Sequence, residues 1–251
     1  MLLNSIRLSN FRNYQDSGFE LSEGINIVCG ENAQGKTNFL EAVSYISCVR
    51  SFRTPYKKEL LRFDEKEARI EANVTSRNRS FDVDIEIFDQ RAPVIRVNRI
   101  KLKRNYELAG LLKSVLFSPD DLNLVKGGAQ ERRRFMDTAL SQLRPRYAGL
   151  LMEYNRLFDH KTRILKDSEE KPSLLDTLDD FSYRMAKIGA GIISCRAGFC
   201  ASLQPEAASA GLQISGGREE LQARYLTVSS VSDPGGSTEQ TEKELIAHYE
   251  A

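Results

Sequence analysis

Apolar residues alternate with polar ones at Ile6 and Leu8, at Phe19 and Leu21, and, after a turn at Gly24, at Ile25 and Ile27. That period of two predicts three half-buried strands, the third running straight into Gly30. Beyond Gly35 the period lengthens: Phe39, Leu40, Val43 and Ile46 recur at three- and four-residue spacing and define one face of a helix. Residues 68–104 return to strand character. Ile70, Ala72 and Val74 alternate, a polar turn falls at Ser76-Arg77-Asn78, and Phe81, Val83, Ile85 and Ile87 alternate again. A second hairpin is expected from 94–97 and 100–102, joined near Asn98-Arg99.

After Gln130 the chain becomes helical. Phe135, Leu140, Leu143, Tyr147, Leu150, Leu151, Tyr154, Leu157 and Phe158 form a stripe interrupted near Pro145. Leu178, Phe181, Met185, Ile188 and Ile192 repeat in the same way over 174–203, so the polar stretch 167–173 predicts the turn of an antiparallel helical pair. Residues 228–240 carry no periodicity and many loop formers, and read as a surface loop or disordered segment. The expected organisation is a lobe over 1–130, a helical lobe over 131–227, and a loop with the start of a continuation over 228–251.

Between the third expected strand and the helix stands Gly30-Glu31-Asn32-Ala33-Gln34-Gly35-Lys36-Thr37, a GxxxxGK motif closed by threonine. The chemistry dictates these residue types. Gly30 permits a sharp turn out of the strand, and Gly35 lets the main chain approach phosphate oxygens without a Cβ in the way. Backbone N–H groups and the positive end of the helix surround the anion. Lys36 brings a mobile cation to the β- and γ-phosphates of ATP, and the Thr37 hydroxyl is placed to ligate Mg²⁺. Chance produces such a string in on the order of one chain of this size in a hundred, and the flanking apolar strand and amphipathic helix are the context it requires.

Composition narrows the possibilities. No apolar run reaches bilayer length and the N-terminus lacks a signal peptide's apolar centre, so a cytoplasmic, membrane-free protein is expected. The four cysteines and two histidines show no zinc-site spacing, and the cysteines read as reduced structural thiols. A net charge of +1 hides an asymmetry: residues 1–150 carry 25 basic against 19 acidic groups, a balance of +6, and the remainder 11 against 16, a balance of −5. A polyanion would therefore meet the first part of the chain.

With its neighbours, the glycine motif resembles the RecF family of bacterial recombination-repair proteins, whose head is built like those of the SMC and ABC-type ATPases. The resemblance rests on Leu8-Ser9-Asn10-Phe11-Arg12-Asn13-Tyr14, on the run from Gly30 into Phe39-Leu40-Glu41-Ala42, and on Ser51-Phe52-Arg53-Thr54. Three further blocks agree with it in order and spacing: Val115-Leu116-Phe117-Ser118-Pro119-Asp120-Asp121-Leu122, Arg132-Arg133-Arg134-Phe135-Met136-Asp137, and Ser141-Gln142-Leu143 with Tyr147 and Tyr154-Asn155-Arg156. The resemblance implies an α/β (α+β) fold, an ABC-type head lobe with a mixed or antiparallel sheet plus a helical second lobe. It also implies ATP-dependent homodimerisation, weak ATP hydrolysis and binding to gapped DNA or single/double-strand junctions. RecR and RecO are the implied partners, RecA loading the outcome, and the SOS response the setting. It places Arg12 and Arg53 near the nucleotide, where either could compensate phosphate charge or form a surface ion pair.

Such an ATPase also needs an apolar strand ending in two acids and a signature segment. The nearest match to the strand, Val115 to Asp121, contains Pro119, which cannot donate to a central ladder, and suits a nucleotide-sensing loop better. Ser215-Gly216-Gly217-Arg218 imitates the signature but reads as an ordinary turn. The chain is therefore expected to be an N-terminal portion of a longer protein and to bind ATP without hydrolysing it. Arg99, Lys101 and Lys103 would share one face of a strand, as contacts to duplex phosphates or as a charged sheet edge. Arg132, Arg133 and Arg134 would spread around a helix. Competing readings are an SMC-type head fragment, a small-molecule kinase, which calls for an all-parallel core, and a fragment that holds nucleotide for structure alone.

Overall fold

The computed structural model describes residues 1–250. They form two compact units, one of Met1–Arg132 with Ser141–Pro145, the other of Arg133–Leu140 with the chain from Arg146 onward.

The first unit is built on six antiparallel strands: β1 (Leu2–Phe11), β2 (Tyr14–Glu20), β3 (Glu67–Ser76), β4 (Arg79–Phe88), β5 (Val94–Val97) and β6 (Ile100–Lys101), in the order β2-β1-β3-β4-β5-β6. Strict alternation sets the sheet's two faces. Ile6 and Leu8 of β1, Ile70 and Val74 of β3, Val83, Ile85 and Ile87 of β4 and Ile95 of β5 are buried in one cluster with Phe39, Tyr45 and Ile46 of helix α1 (Lys36–Cys48). Their neighbours on the other face include charged residues that pair along and across the strands. Arg7 binds Asp16, Arg69 binds Glu71 and Asp84, and Arg96 binds Asp84 and Glu86.

Both expected hairpins form. The residue pairs at their corners, Arg77-Asn78 and Asn98-Arg99, all have positive φ, between 51° and 67°. That backbone matches strand twist but costs a side-chain-bearing residue about 1–2 kcal/mol where glycine would cost nothing. The second hairpin is shorter than expected, because β6 ends at Lys101. Arg99 is a corner residue and Lys103 lies beyond the strand, so the period-two argument that put Arg99, Lys101 and Lys103 on one strand face fails.

The third expected strand is absent. Residues 22–30 join no ladder among the described residues, and Ile25 and Ile27 stand 88% and 83% exposed. A strand needs a neighbour's backbone to pair with, and here local bonds replace it: the Ser22 N–H donates to Asn26 Oδ1 at 3.0 Å and Asn26 Nδ2 to the Ser22 carbonyl at 2.9 Å. Residues 113–118, the acidic-strand mimic, are likewise outside any strand. Ser118 caps a 3-10 turn with Pro119 at its start, and its N–H donates to Asp121 at 2.5 Å. A single helical turn, α2 (Asn123–Lys126), follows.

The helical stretch begins with α3 (Ala129–Leu143), which is divided between the units, and α4 (Pro145–Asp167), the proline occupying a first-turn position where its missing N–H costs nothing. Within the second unit, α5 (Leu178–Ser215) runs antiparallel to α4, as the contacts of Gly191 with Leu150, Gly189 with Tyr154 and Ser182 with Lys161 require. Gly216, at φ 65°, ends α5, so Ser215-Gly216-Gly217-Arg218 is a helix cap. The segment expected to be loop through residue 240 is helical from Thr238, where α6 (Thr238–Glu250) starts, and Val231 is buried. Glu239, Lys243, Glu244, Leu245 and Ala247 favour the helix locally, and Gly189 lets it seat closely on α5, since a Cβ there would stand 3.2 Å from Leu245. No helix among the described residues is long and apolar enough to cross a membrane.

One polar network is sealed within this unit. Arg196 of α5 grips Asp137 of α3 through Nε and Nη2, both at 2.9 Å, and the Tyr147 hydroxyl donates to Asp137 at 2.5 Å. Burial, and then the bond to Asp137, push the Tyr147 phenol up from its usual range. Asp137→Ala should therefore cost about 3 kcal/mol, because it strands a largely buried guanidinium. Tyr147→Phe should cost about 1 kcal/mol. Denaturant titration followed by circular dichroism checks the order of the two.

Candidate functional site

The motif from Gly30 to Thr37 forms a loop that coils into the first turn of α1. Three left-handed residues bend it: Gly30 at φ 144°, Ala33 at φ 67° and Gly35 at φ 104°. Gly35 is required for two reasons. Its conformation suits glycine alone, and a Cβ would meet Asn13 Oδ1 at 2.7 Å and the Tyr14 ring at 3.1 Å. The turn between β1 and β2 is thus packed directly under the start of α1, and the Tyr14 hydroxyl donates to the Gly35 carbonyl at 3.1 Å.

The helix mouth itself has no side-chain cap and no acidic residue in its first turn. The first intrahelical donor is Phe39, bonded to the Gly35 carbonyl at 2.9 Å. The N–H groups of Lys36, Thr37 and Asn38 before it therefore have no acceptor within the helix and are left for an anion at its mouth. Lys36 folds back over the loop, its Nζ donating to the carbonyls of Gly30 at 2.7 Å and Glu31 at 2.6 Å. Glu31, Asn32, Ala33, Gln34 and Thr37 are all exposed. This donor set fits a polyphosphate, and the exposed Thr37 hydroxyl, an oxygen ligand at the first helical turn, fits the hard cation that accompanies one. Lys36 would hold phosphate and Thr37 the cation, with the glycines providing clearance.

Arg12 and Arg53 converge on one group that the sequence reading overlooked. Glu41, fully buried on the inward face of α1, accepts Arg12 Nε at 2.9 Å and Nη2 at 2.7 Å, Arg53 Nη1 at 3.3 Å, and the Ser51 hydroxyl. Asn38, one turn earlier, donates to Asn13 Oδ1 at 2.8 Å and accepts Arg53 Nη1 at 2.7 Å. Both arginines thus stand beside the helix that carries the loop, in contact with Glu41. A signal was available: a carboxylate within the stripe Phe39, Ala42, Tyr45 and Ile46 has to find cations. Cys48, near the end of the same helix, has its thiol pushed up to about 11 by burial and is inert at neutral pH. Cys29, by contrast, is exposed, so it is not a core thiol.

Residues 2–234 match the family model of the RecF/RecN/SMC N terminal domain. The chain belongs to that family. Among curated relatives, it is 36% identical over 235 residues to a DNA replication and repair protein RecF of Lachnospira eligens, covering 93% of this chain and 65% of that protein. To the RecF of Bacillus subtilis it is 34% identical over 238 residues, covering 93% and 63%. It resembles the solved structure of the recombination mediator protein RecF-ATPrS in the RecFOR pathway with a TM-score of 0.90 and 30% identity, over 98% of this chain and 66% of that one. The corresponding RecF-ATP structure gives a TM-score of 0.85 at the same identity and coverage. The α/β head fold expected from the RecF-like motifs is therefore the fold found. This family member spans less than two thirds of the length of the curated relatives it matches.

The Glu41 cluster yields a direct expectation. Glu41→Ala leaves Arg12, whose side chain is 15% exposed, without its counter-ion, and should lower stability by about 3 kcal/mol. Arg53→Ala, at a side chain 40% exposed, should cost under about 1 kcal/mol. Thermal melts of the two variants, compared with the parent, test the ranking.

Proposed function

We propose that this chain is the ATP-binding portion of a RecF-type DNA repair protein, in which nucleotide held at residues 30–37 controls a dimeric clamp on DNA. One observation carries the reading: an uncapped helix mouth beneath a glycine loop whose own lysine lies over it. ATP, when bound, supplies the charge that this donor set is built to hold. Mg²⁺ would sit with the Thr37 hydroxyl. The wholly antiparallel sheet favours this reading over a small-molecule kinase with an all-parallel core.

In the same reading the clamp prefers gapped DNA or single/double-strand junctions, works with RecO and RecR, and supports RecA loading. Ile25, Ile27, Val115 and Phe117 are large apolar side chains left exposed next to the loop and in the acidic-strand mimic. In a longer RecF-type protein these segments are where the remaining strands of the head, including one that ends in acids, would add.

Lys36→Ala should weaken ATP binding at least tenfold in equilibrium dialysis, since it removes the mobile cation from the phosphates. An affinity equal to the parent's would remove the hypothesis.

Hydrolysis by these 251 residues alone should be negligible. Asp121 is committed to its cap and Glu41 to its arginines, so neither carboxylate is available to polarise water. Steady phosphate release that disappears in Lys36→Ala would contradict this.

A further inference from the structure

The strand register brings two arginine-bearing corners to the same end of the sheet. The β3–β4 corner lies between Ser76 and Arg79, and the β5–β6 corner between Val97 and Ile100. Val97 pairs with Val83, and the Asn98 N–H donates to the Asp82 carbonyl at 2.8 Å. The second corner therefore lies level with a residue only three positions from Arg79, roughly 10 Å along the strand. Arg77 occupies one corner and Arg99 the other, both in the left-handed conformation that glycine or asparagine would adopt with less strain.

Beside the first corner opens a cleft of about 540 Å³ whose walls include Arg77, Arg79 and Lys113 and no carboxylate. Its floor is fixed: Gly110, at φ 88°, lies against the Gln142 carbonyl, and the Gln142 side chain accepts the Ser114 N–H at 2.7 Å. Arg77, Arg79, Arg99, Lys101 and Lys113 are all exposed, and none forms an ion pair among the described residues. Asp82 adjoins the corners, and Asn73 donates to it at 2.7 Å. On the flat face of the same sheet, Arg7, Arg69 and Arg96 are instead consumed by carboxylates.

We infer that this end of the sheet is a phosphate-backbone cradle, with Arg77, Arg79 and Lys113 gripping one stretch of a nucleic-acid duplex and Arg99 and Lys101 a neighbouring stretch. Five cations without ion pairs, spread over two corners, the strand ends beside them and the adjoining loop, are too widely spaced for one phosphate and suit a polyanion with regularly repeated charges. Guanidinium groups match phosphate oxygens in a planar fork. Phe81 is the only aromatic residue in the cleft wall, so the cleft lacks the row of rings on which successive bases stack and suits duplex backbone better. The inference rests on the DNA-binding reading above and extends it to three residues on a different hairpin and loop.

The test is fluorescence anisotropy of a labelled duplex with the full 251-residue chain, titrated from low to moderate salt. The variant combines Arg77→Asn, which keeps a residue tolerant of the corner, with Arg79→Gln and Lys113→Gln. Circular dichroism and ATP dialysis on the same sample should match the parent. Duplex affinity should fall at least tenfold, and the slope of log K against log salt should become shallower by about 0.9 for each phosphate that is no longer neutralised. An unchanged slope overturns the cradle. So does polyglutamate displacing the duplex as well as unlabelled duplex of equal charge, which would assign the surface to an acidic protein. Failure of the unaltered chain to bind duplex at low salt would remove the DNA-binding reading as well, whereas binding by the parent with no weakening in the variant removes the cradle alone.

Discussion

A carboxylate buried between two arginines holds the first unit's functional region in place. Glu41 cannot be left alone in an apolar interior, where an unpaired charge costs several kcal/mol. Its need for cations fixes three chain segments far apart in sequence: the β1–β2 turn through Arg12, the stretch after α1 through Ser51 and Arg53, and α1 itself. Since the glycine loop is the N-terminal extension of α1, whatever orients that helix orients the loop. Asn13 and Tyr14, pressed against Gly35, complete the support from below.

How much of this was legible follows from the range of each signal. Strand alternation and the helical stripes are local, and β1 to β5, α1 and the α4–α5 pair appear where period and turn chemistry put them. The glycine loop was legible for the same reason, its shape being dictated by residues within one short window. Ile25 and Ile27 show the limit: their pattern is that of a strand, but a strand is a relation between two segments, and no described segment pairs with them. Glu41 shows another. A charge in an apolar stripe announced that a partner was needed, yet only the fold could say that Arg12 and Arg53 would share it.

The helical unit is held by the absence of side chains as much as by their presence. Gly189 and Gly191 let Tyr154, Leu150 and Leu245 approach the axis of α5, and Ala186 and Ala190 continue that low relief. The α6 sequence is rich in helix formers, and its Leu245, Ile246 and Tyr249 recur at helical spacing on the face that meets this surface. Its stability is drawn from the surface it lands on.

The exposed face of the sheet sets Arg7, Arg69 and Arg96 against the carboxylates of Asp16, Glu71, Asp82, Asp84 and Glu86, so it is a wall with an acidic balance. A charged macromolecule gains little by lying against it, because each ion pair would have to be broken before a new one could form. An acidic surface of this kind gives a polyanion direction by refusing it: encounters that slide across the wall find no foothold until they reach its border.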